Sequence, residues 1–280
     1  MNKIILKDRD DRYGSNTICK ISNYILGIIT NCEIYRYSKM KYKYNLFSSP
    51  FIEFCKISND KNITNIKIYG GIRGNCAYPV TLIKKDLISY FNENLKEKFI
   101  KTIDKKFIEN KYKLPWNNNN NIICIHIRID DQSNIKDYDG TKSSNYIKQL
   151  IENDKISNYD KTKMGRDIQC PIREDKLEKL LEELKLNYSD KEIHIIYSGD
   201  IKRYNKIINK YNIILHSNKD IDYDLYLLIN SDILILSKSF FSLIAGFYHK
   251  GSQVYAPIWG SFTSLGLNTK YDNSNWKYYI

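Results

Sequence analysis

The stretch NIICIHIRIDDQ, Asn121 to Gln132, decides how the rest of the chain is read. From Ile123 to Ile129 it alternates isoleucine with other residues, the period-two pattern of a strand. Side chains two apart share a face, so His126 and Arg128 project together while Ile125, Ile127 and Ile129 face the opposite layer. Two acids, Asp130 and Asp131, follow directly. A histidine and an arginine near the carboxyl end of an apolar strand sit where open α/β sheets bind their ligands. The arginine needs an anion, which is either one of those acids in a structural ion pair or a ligand phosphate.

Outward from this strand the pattern repeats. KEIHIIYSGD (Lys191–Asp200), NIILHS (Asn212–Ser217) and DILIL (Asp232–Leu236) are further strands. Leu177, Leu180, Leu181 and Leu184 give a helix opened by CPIRED, with acids in its first turn. DLYLLIN predicts a short helix, and FFSLIAGFYHKG one closing on glycine. Strands alternating with helices predict a parallel sheet covered on both faces.

Upstream, KIIL (Lys3–Leu6) is a short strand and Ile18, Ile21, Ile25 and Ile28 repeat at helical spacing. Between them RYGSNTI puts Gly14 in a position suited to an unusual backbone conformation, and Asn16 where it caps the helix or meets a ligand. Leu87, Phe91, Leu95, Phe99, Ile103 and Phe107 mark one long amphipathic helix or two in succession. KLPWNNNNN then reads as a linker, which divides the chain into residues 1–116 and 122–280. Residues 130–169 are polar enough to contain a long loop.

The chain has 280 residues, 42% of them hydrophobic, enough for one large or two modest cores. Its net charge of +12 favours an anionic partner: nucleic acid, a membrane surface or a phosphorylated metabolite. Six cysteines without a C-x-x-C pair suit reduced, buried thiols. With no signal-peptide core and no run of about 20 apolar residues, the expectation is a soluble cytoplasmic protein. His194 reads as a hydrogen-bonded core residue, His216 and His249 as residues near element ends, and Cys124 as a small buried apolar residue.

A second polar constellation lies at Ser237, Lys238 and Ser239, between an apolar strand and a helix. Two hydroxyls, an ammonium and the first amides of that helix converge there. Helix starts bind phosphate through those amides and the positive end of the dipole. A capping role explains one of the serines but not the whole group. Neither G-x-G-x-x-G nor a P-loop is present, which removes the main support for dehydrogenase and NTPase readings.

Taken in order, these pieces resemble the fucosyltransferase superfamily of alpha-1,2-, alpha-1,6- and protein O-fucosyltransferases. HIRIDD places His126, Arg128 and Asp131 on the family's H-x-R-R-G/T-D strand. DLYLLINSDILILSKSFFSLIAG brings Asp224, Ser237, Ser239, Phe241, Ser242 and Ala245 into register with its late segment. IIYSGD, with Ser198, is similar to its I-F-S-D-D strand end, and Gly14 and Asn16 stand for its early glycine-asparagine loop. The chain departs from the pattern at Ile129, Asp130, Lys238, Phe240, Leu243 and Ile244.

The resemblance implies two Rossmann-like domains facing across a cleft (GT-B-like), with an amino-terminal acceptor side and a carboxyl-terminal nucleotide-sugar side. It implies metal-independent, inverting transfer of fucose from GDP-fucose to a glycan or glycoconjugate, with no cofactor. Arg128 would contact the β-phosphate, His126 the nucleoside, Asp224 the guanine edge and Ser239 the diphosphate. Lys238 adds positive charge beside them. Asp222 and Asp224 also spell the D-x-D of a metal-dependent transferase, a less favoured reading. Asp137 and Asp139 are candidate bases. The alternatives are a degenerate transferase that only binds sugar nucleotide, and a basic nucleic-acid-binding protein, for which neither a concentrated basic stripe nor an RNA-binding motif is present.

Overall fold

The computed structural model describes residues 3–6, 13–37, 46, 49–58, 87–117, 121–129, 171–217, 220–257 and 275–279. Asp131, the acids at 130, 137 and 139, and the polar stretch to residue 169 lie outside the described residues. The described residues form two compact units, one up to Lys111 and one from Tyr112 onward. Both are α/β with parallel sheets flanked by helices.

The first unit contains β1 (Lys3–Leu6), β2 (Glu33–Tyr37) and β3 (Lys56–Ser58), parallel and in that order. Its helices are α1 (Tyr13–Ile29), α2 (Ser49–Phe54), α3 (Leu87–Asn94) and α4 (Lys96–Glu109). The single apolar series from Leu87 thus becomes two helices broken at Leu95. Phe91 and Phe99 stack edge-on at 5.3 Å, and Phe99 meets Phe51 at 5.5 Å, so aromatic packing closes this core.

Helix α1 starts earlier than its isoleucine spacing predicts. Gly14 and Asn16 are therefore inside the helix, not in a loop before it. Gly14 lies four residues before Ile18, on the face of the buried residues Ile18, Ile21 and Ile25. Among described glycines only Gly199 has positive φ, so Gly14 does not supply an unusual backbone conformation. Asn16, 1% exposed, is past the capping position.

The second unit holds β4 (Ile122–Ile129), β5 (Glu192–Gly199), β6 (Ile214–His216), β7 (Ile233–Ile235), β8 (Gln253–Pro257) and β9 (Trp276–Tyr279). The six strands are all parallel in the order β6-β5-β4-β7-β8-β9. Helices α5 (Glu174–Asn187) and α6 (Asn205–Tyr211) cover one face. There Ile123, Ile125, Ile127 and Ile129 join Leu177, Leu180, Leu181 and Ile207 in one buried cluster. Helices α7 (Ile221–Ile229) and α8 (Phe240–Tyr248) belong to the other face, where Cys124 Sγ meets the Leu227 carbonyl at 3.9 Å. Burying an eight-residue strand on both sides is what demands its near-continuous isoleucine.

Helix α8 ends at Tyr248 rather than on Gly251. That glycine instead answers a close approach, since a Cβ there would lie 2.3 Å from the carbonyl oxygens of Ser231 and Asp232. The proline-bearing segment after α4 is not bare linker: the Tyr112 hydroxyl donates to Asp220 at 2.7 Å, and Trp116 packs on His194 at 4.8 Å between ring centres. The four described cysteines that carry no disulfide are Cys19, Cys32, Cys55 and Cys124. No described helix is long and apolar enough to cross a membrane.

Candidate anion-binding edge of the second sheet

Parallel strands that all end on one side bring the ends of β4, β5 and β7 to a common edge. Arg128 lies opposite Ser198 in the β4–β5 register, and Ile125 lies opposite Ile235 in β4–β7. Two residues beyond each of these last positions stand Ile127 and Ser237, so the strand carrying His126 and the turn after β7 are neighbours in space.

Their contact is direct. His126 Nδ1 and Ser237 Oγ are 2.8 Å apart, with both residues buried. Which of the two donates depends on the imidazole tautomer. The Phe241 ring packs against His126 at 5.1 Å, tilted by 45°. His126 is thereby held by a hydroxyl on one side and an aromatic face on the other. Arg128, one pleat further out, is half-buried where the strand meets solvent.

The turn itself is built from its own serines. The Ser237 amide donates to Ser242 Oγ at 2.9 Å, and the Ser239 amide donates to the Ser237 carbonyl at 2.8 Å. Ser239 occupies the N-cap of α8 with extended backbone, yet its hydroxyl makes no capping hydrogen bond. A serine placed as a cap and not used as one keeps its hydroxyl for another acceptor or donor. Lys238, between the two serines, is 9% exposed. Ser242 is fully buried, and its hydroxyl shapes the turn.

Asp224 lies in the first turn of α7, its amide bonded to the Asp220 carbonyl at 3.0 Å. Asp220 caps this helix by accepting from the amides of Asp222 and Tyr223. Helix α7 begins after β6 and so starts on the same edge as Arg128 and Ser237. On a helix, residues two apart point about 200° away from each other, so Asp222 and Asp224 do not present a chelating pair. Among the described residues no cluster of three His, Cys, Asp or Glu side chains is grouped as metal ligands would be.

The structure therefore brings together His126, Ser237, Phe241 and Ser242 in contact. Arg128 and Ser198 stand side by side on the next strand pair, and Lys238 and Ser239 lie on the turn. Gly14 and Asn16 belong to the first unit. Sequence reasoning missed Gly199, which ends β5 at φ 92°. A Cβ there would fall 1.6 Å from the Ile129 carbonyl oxygen, so the β4 and β5 ends come together only because this residue is glycine. A glycine directly after an apolar strand was the available signal.

The remaining histidines behave as structural groups. His194 Nδ1 and His216 Nε2 are 2.8 Å apart, with rings stacked at 11°. Burial lowers the pKa of both; the Glu192 carboxylate works against this at His194, and the neighbouring His194 adds to it at His216. Burial also pushes the Cys124 thiol far up, which keeps it protonated and inert.

Such a site defines a class: a doubly covered parallel sheet with cationic and hydroxyl groups gathered at its carboxyl edge, suited to an anionic ligand. No protein-family model matches the chain, and no curated protein matches it. Among solved structures it is similar to POFUT1 in complex with GDP-fucose, with a TM-score of 0.48 and 11% identity over 91% of this chain and 97% of that one. Another match is apo POFUT1, with a TM-score of 0.46 and 12% identity over 88% and 94%. POFUT1 in complex with GDP gives 0.45 and 10% over 99% and 98%. At these scores and identities no residue role passes from POFUT1 to this chain.

Proposed function

We propose that the chain is a glycosyltransferase that takes its sugar from a nucleoside diphosphate, with GDP-fucose as donor and a glycan or glycoconjugate as acceptor. One observation carries the reading. The His-x-Arg strand end and the Ser-Lys-Ser helix start, 111 residues apart, are joined by the His126–Ser237 hydrogen bond at one sheet edge. Two constellations that each suit a phosphate thus meet at one sheet edge, which supports reading them as one site.

In this reading the diphosphate lies between Arg128 and the start of α8. Its oxygens take hydrogen bonds from the guanidinium, from the Ser239 hydroxyl and from the first amides of the helix. His126, fixed by Ser237 and Phe241, contacts the nucleoside. Asp224 accepts two N–H donors from the guanine edge, which selects the base because other bases leave that acceptor unpaired. Asp131, Ser198 and Phe241 complete the donor contacts proposed from the motif pattern.

Transfer proceeds by attack of an acceptor hydroxyl on the sugar's anomeric carbon. The bond to the diphosphate oxygen breaks, the configuration inverts, and the acceptor hydroxyl's proton passes to the departing diphosphate or to solvent. The growing negative charge on the departing diphosphate is the main electrostatic demand, and Arg128 with Lys238 and the α8 dipole meets it without a metal ion. No catalytic base is assigned.

Thermal-shift measurements with GDP, UDP, dTDP and CMP test the reading. Ligand at about 100 times its Kd stabilises the native state by about 2.7 kcal/mol. GDP is expected to raise Tm most. Equal and negligible shifts with all four nucleotides would refute a nucleotide-sugar site.

A further inference from the structure

Leu236 is the last residue before the Ser237–Lys238–Ser239 turn, and its amide and its carbonyl are both held. Its amide donates to the Tyr255 carbonyl of β8 at 2.8 Å. Its carbonyl accepts from the hydroxyl of Tyr279, 43 residues further on, at 2.5 Å. That carbonyl and the Ser237 amide belong to one planar peptide unit. Ser242 Oγ accepts from the amide side of the same plane at 2.9 Å. The plane is therefore clamped from opposite edges by two side chains, and its orientation sets where Ser237 Cβ points.

From Ser237 the constraint passes in two directions. The Ser237 hydroxyl meets His126, and the Ser237 carbonyl accepts the Ser239 amide. Strand β9 is well placed to deliver the clamp, since Tyr279 pairs in register with Pro257 at the end of β8. The same strand packs Trp276 against α8 at Gly246, where a Cβ would meet the indole at 2.8 Å. Burial holds the Tyr279 phenol well above its ordinary pKa, so it remains a protonated donor.

We infer that Tyr279 is a positioning residue for the donor site: its hydroxyl fixes the Leu236–Ser237 peptide, and through it the turn that presents Ser237, Lys238 and Ser239. The effect on nucleotide binding rests on the function proposed above; the effect on the turn does not. A phenylalanine at this place keeps the ring and its packing against the α5–α6 side of the core but frees the carbonyl edge of the plane.

The test compares Tyr279→Phe with Tyr204→Phe. Tyr204 also donates a buried hydroxyl to a backbone carbonyl, that of Ile172, but has no bond to the turn. Two readouts are taken: GDP affinity by calorimetry, and amide hydrogen exchange at residues 237–239. Tyr279→Phe is expected to weaken GDP binding about 5- to 10-fold, the worth of one hydrogen bond, and to speed exchange of the Ser237 amide. Tyr204→Phe lowers Tm comparably and changes neither. Identical behaviour of the two variants in both readouts would overturn the inference. If the wild-type protein binds no GDP, the nucleotide reading fails, and the exchange comparison alone decides the role of Tyr279.

Discussion

The bond between His126 and Ser237 can be weighed by removing each side in turn. Both residues lie in the interior, at 6% and 3% exposure, and the contact is 2.8 Å. Ser237→Ala deletes the hydroxyl and leaves the imidazole nitrogen facing an apolar methyl; water has little access to replace it. Stranding a buried polar group costs about 1–3 kcal/mol. The backbone is untouched by this change, because the Ser237 amide and carbonyl keep their partners in Ser242 and Ser239. His126→Phe strands the hydroxyl instead, while preserving a ring beside Phe241. The double variant removes both polar groups together, and replacing both partners with apolar ones is nearly neutral. Urea denaturation of the four proteins closes a double-mutant cycle. Each single change is expected to cost about 1–3 kcal/mol, which in a domain of this size is roughly 2–4 °C of Tm per kcal/mol. The double variant should cost less than the sum by at least about 1 kcal/mol. Strict additivity, within about 0.5 kcal/mol, would show that the two residues are not coupled and would refute the single-site reasoning.

Two further outcomes follow from the geometry. Gly199→Ala forces a Cβ to within 1.6 Å of the Ile129 oxygen at φ 92° and must push the β5 end away from β4. It is expected to lower stability by at least about 2 kcal/mol in urea titration, since left-handed strain alone costs about 1–2 kcal/mol; an unchanged midpoint would contradict the close approach. His194 and His216 have pKa values lowered by burial, so the unfolded chain binds more protons than the folded one as pH falls through the ordinary histidine value near 6.5. Their contribution is complete above that value and is lost below it, and replacing both by glutamine should flatten the fall of Tm between about pH 7 and pH 5. An unaltered slope in that variant would exclude the pair as its source.

How much of this was legible beforehand depends on the range of the interaction concerned. Strand β4 and helix α5 repeat their apolar residues over eight or more positions, and such periods are set by burial on a defined face. The order of alternating strands and helices gave the parallel sheet. The start of α1 is not legible, because a glycine before an apolar period reads as a turn residue whereas Gly14 lies inside the helix. Strands β8 and β9, QVYAP and WKYY, are too short to show a period and gain their structure from neighbours. Packing of Tyr112 and Trp116 beside the asparagine run was equally invisible, since isolated aromatics carry no repeat.

At the site, residue types were readable but their pairings were not. Arg128 and the Ser-Lys-Ser group stand out in the sequence as polar chemistry at the ends of apolar strands. Nothing local says that Ser237 would meet His126, or that Tyr279 would hold Leu236, because hydrogen bonds across 111 and 43 residues leave no trace in neighbouring sequence. Ser242 illustrates the converse. It is legible as a polar residue in a helix start, but its hydroxyl accepts the Ser237 amide and shapes the turn.

The most direct test is a calorimetric titration of GDP into the wild-type protein and into Arg128→Ala. A charge-assisted contact to the diphosphate is worth about 1.5–3 kcal/mol, so the variant is expected to bind roughly 10- to 150-fold more weakly. Equal affinity in the two proteins would place the nucleotide elsewhere, or nowhere, and contradict the account.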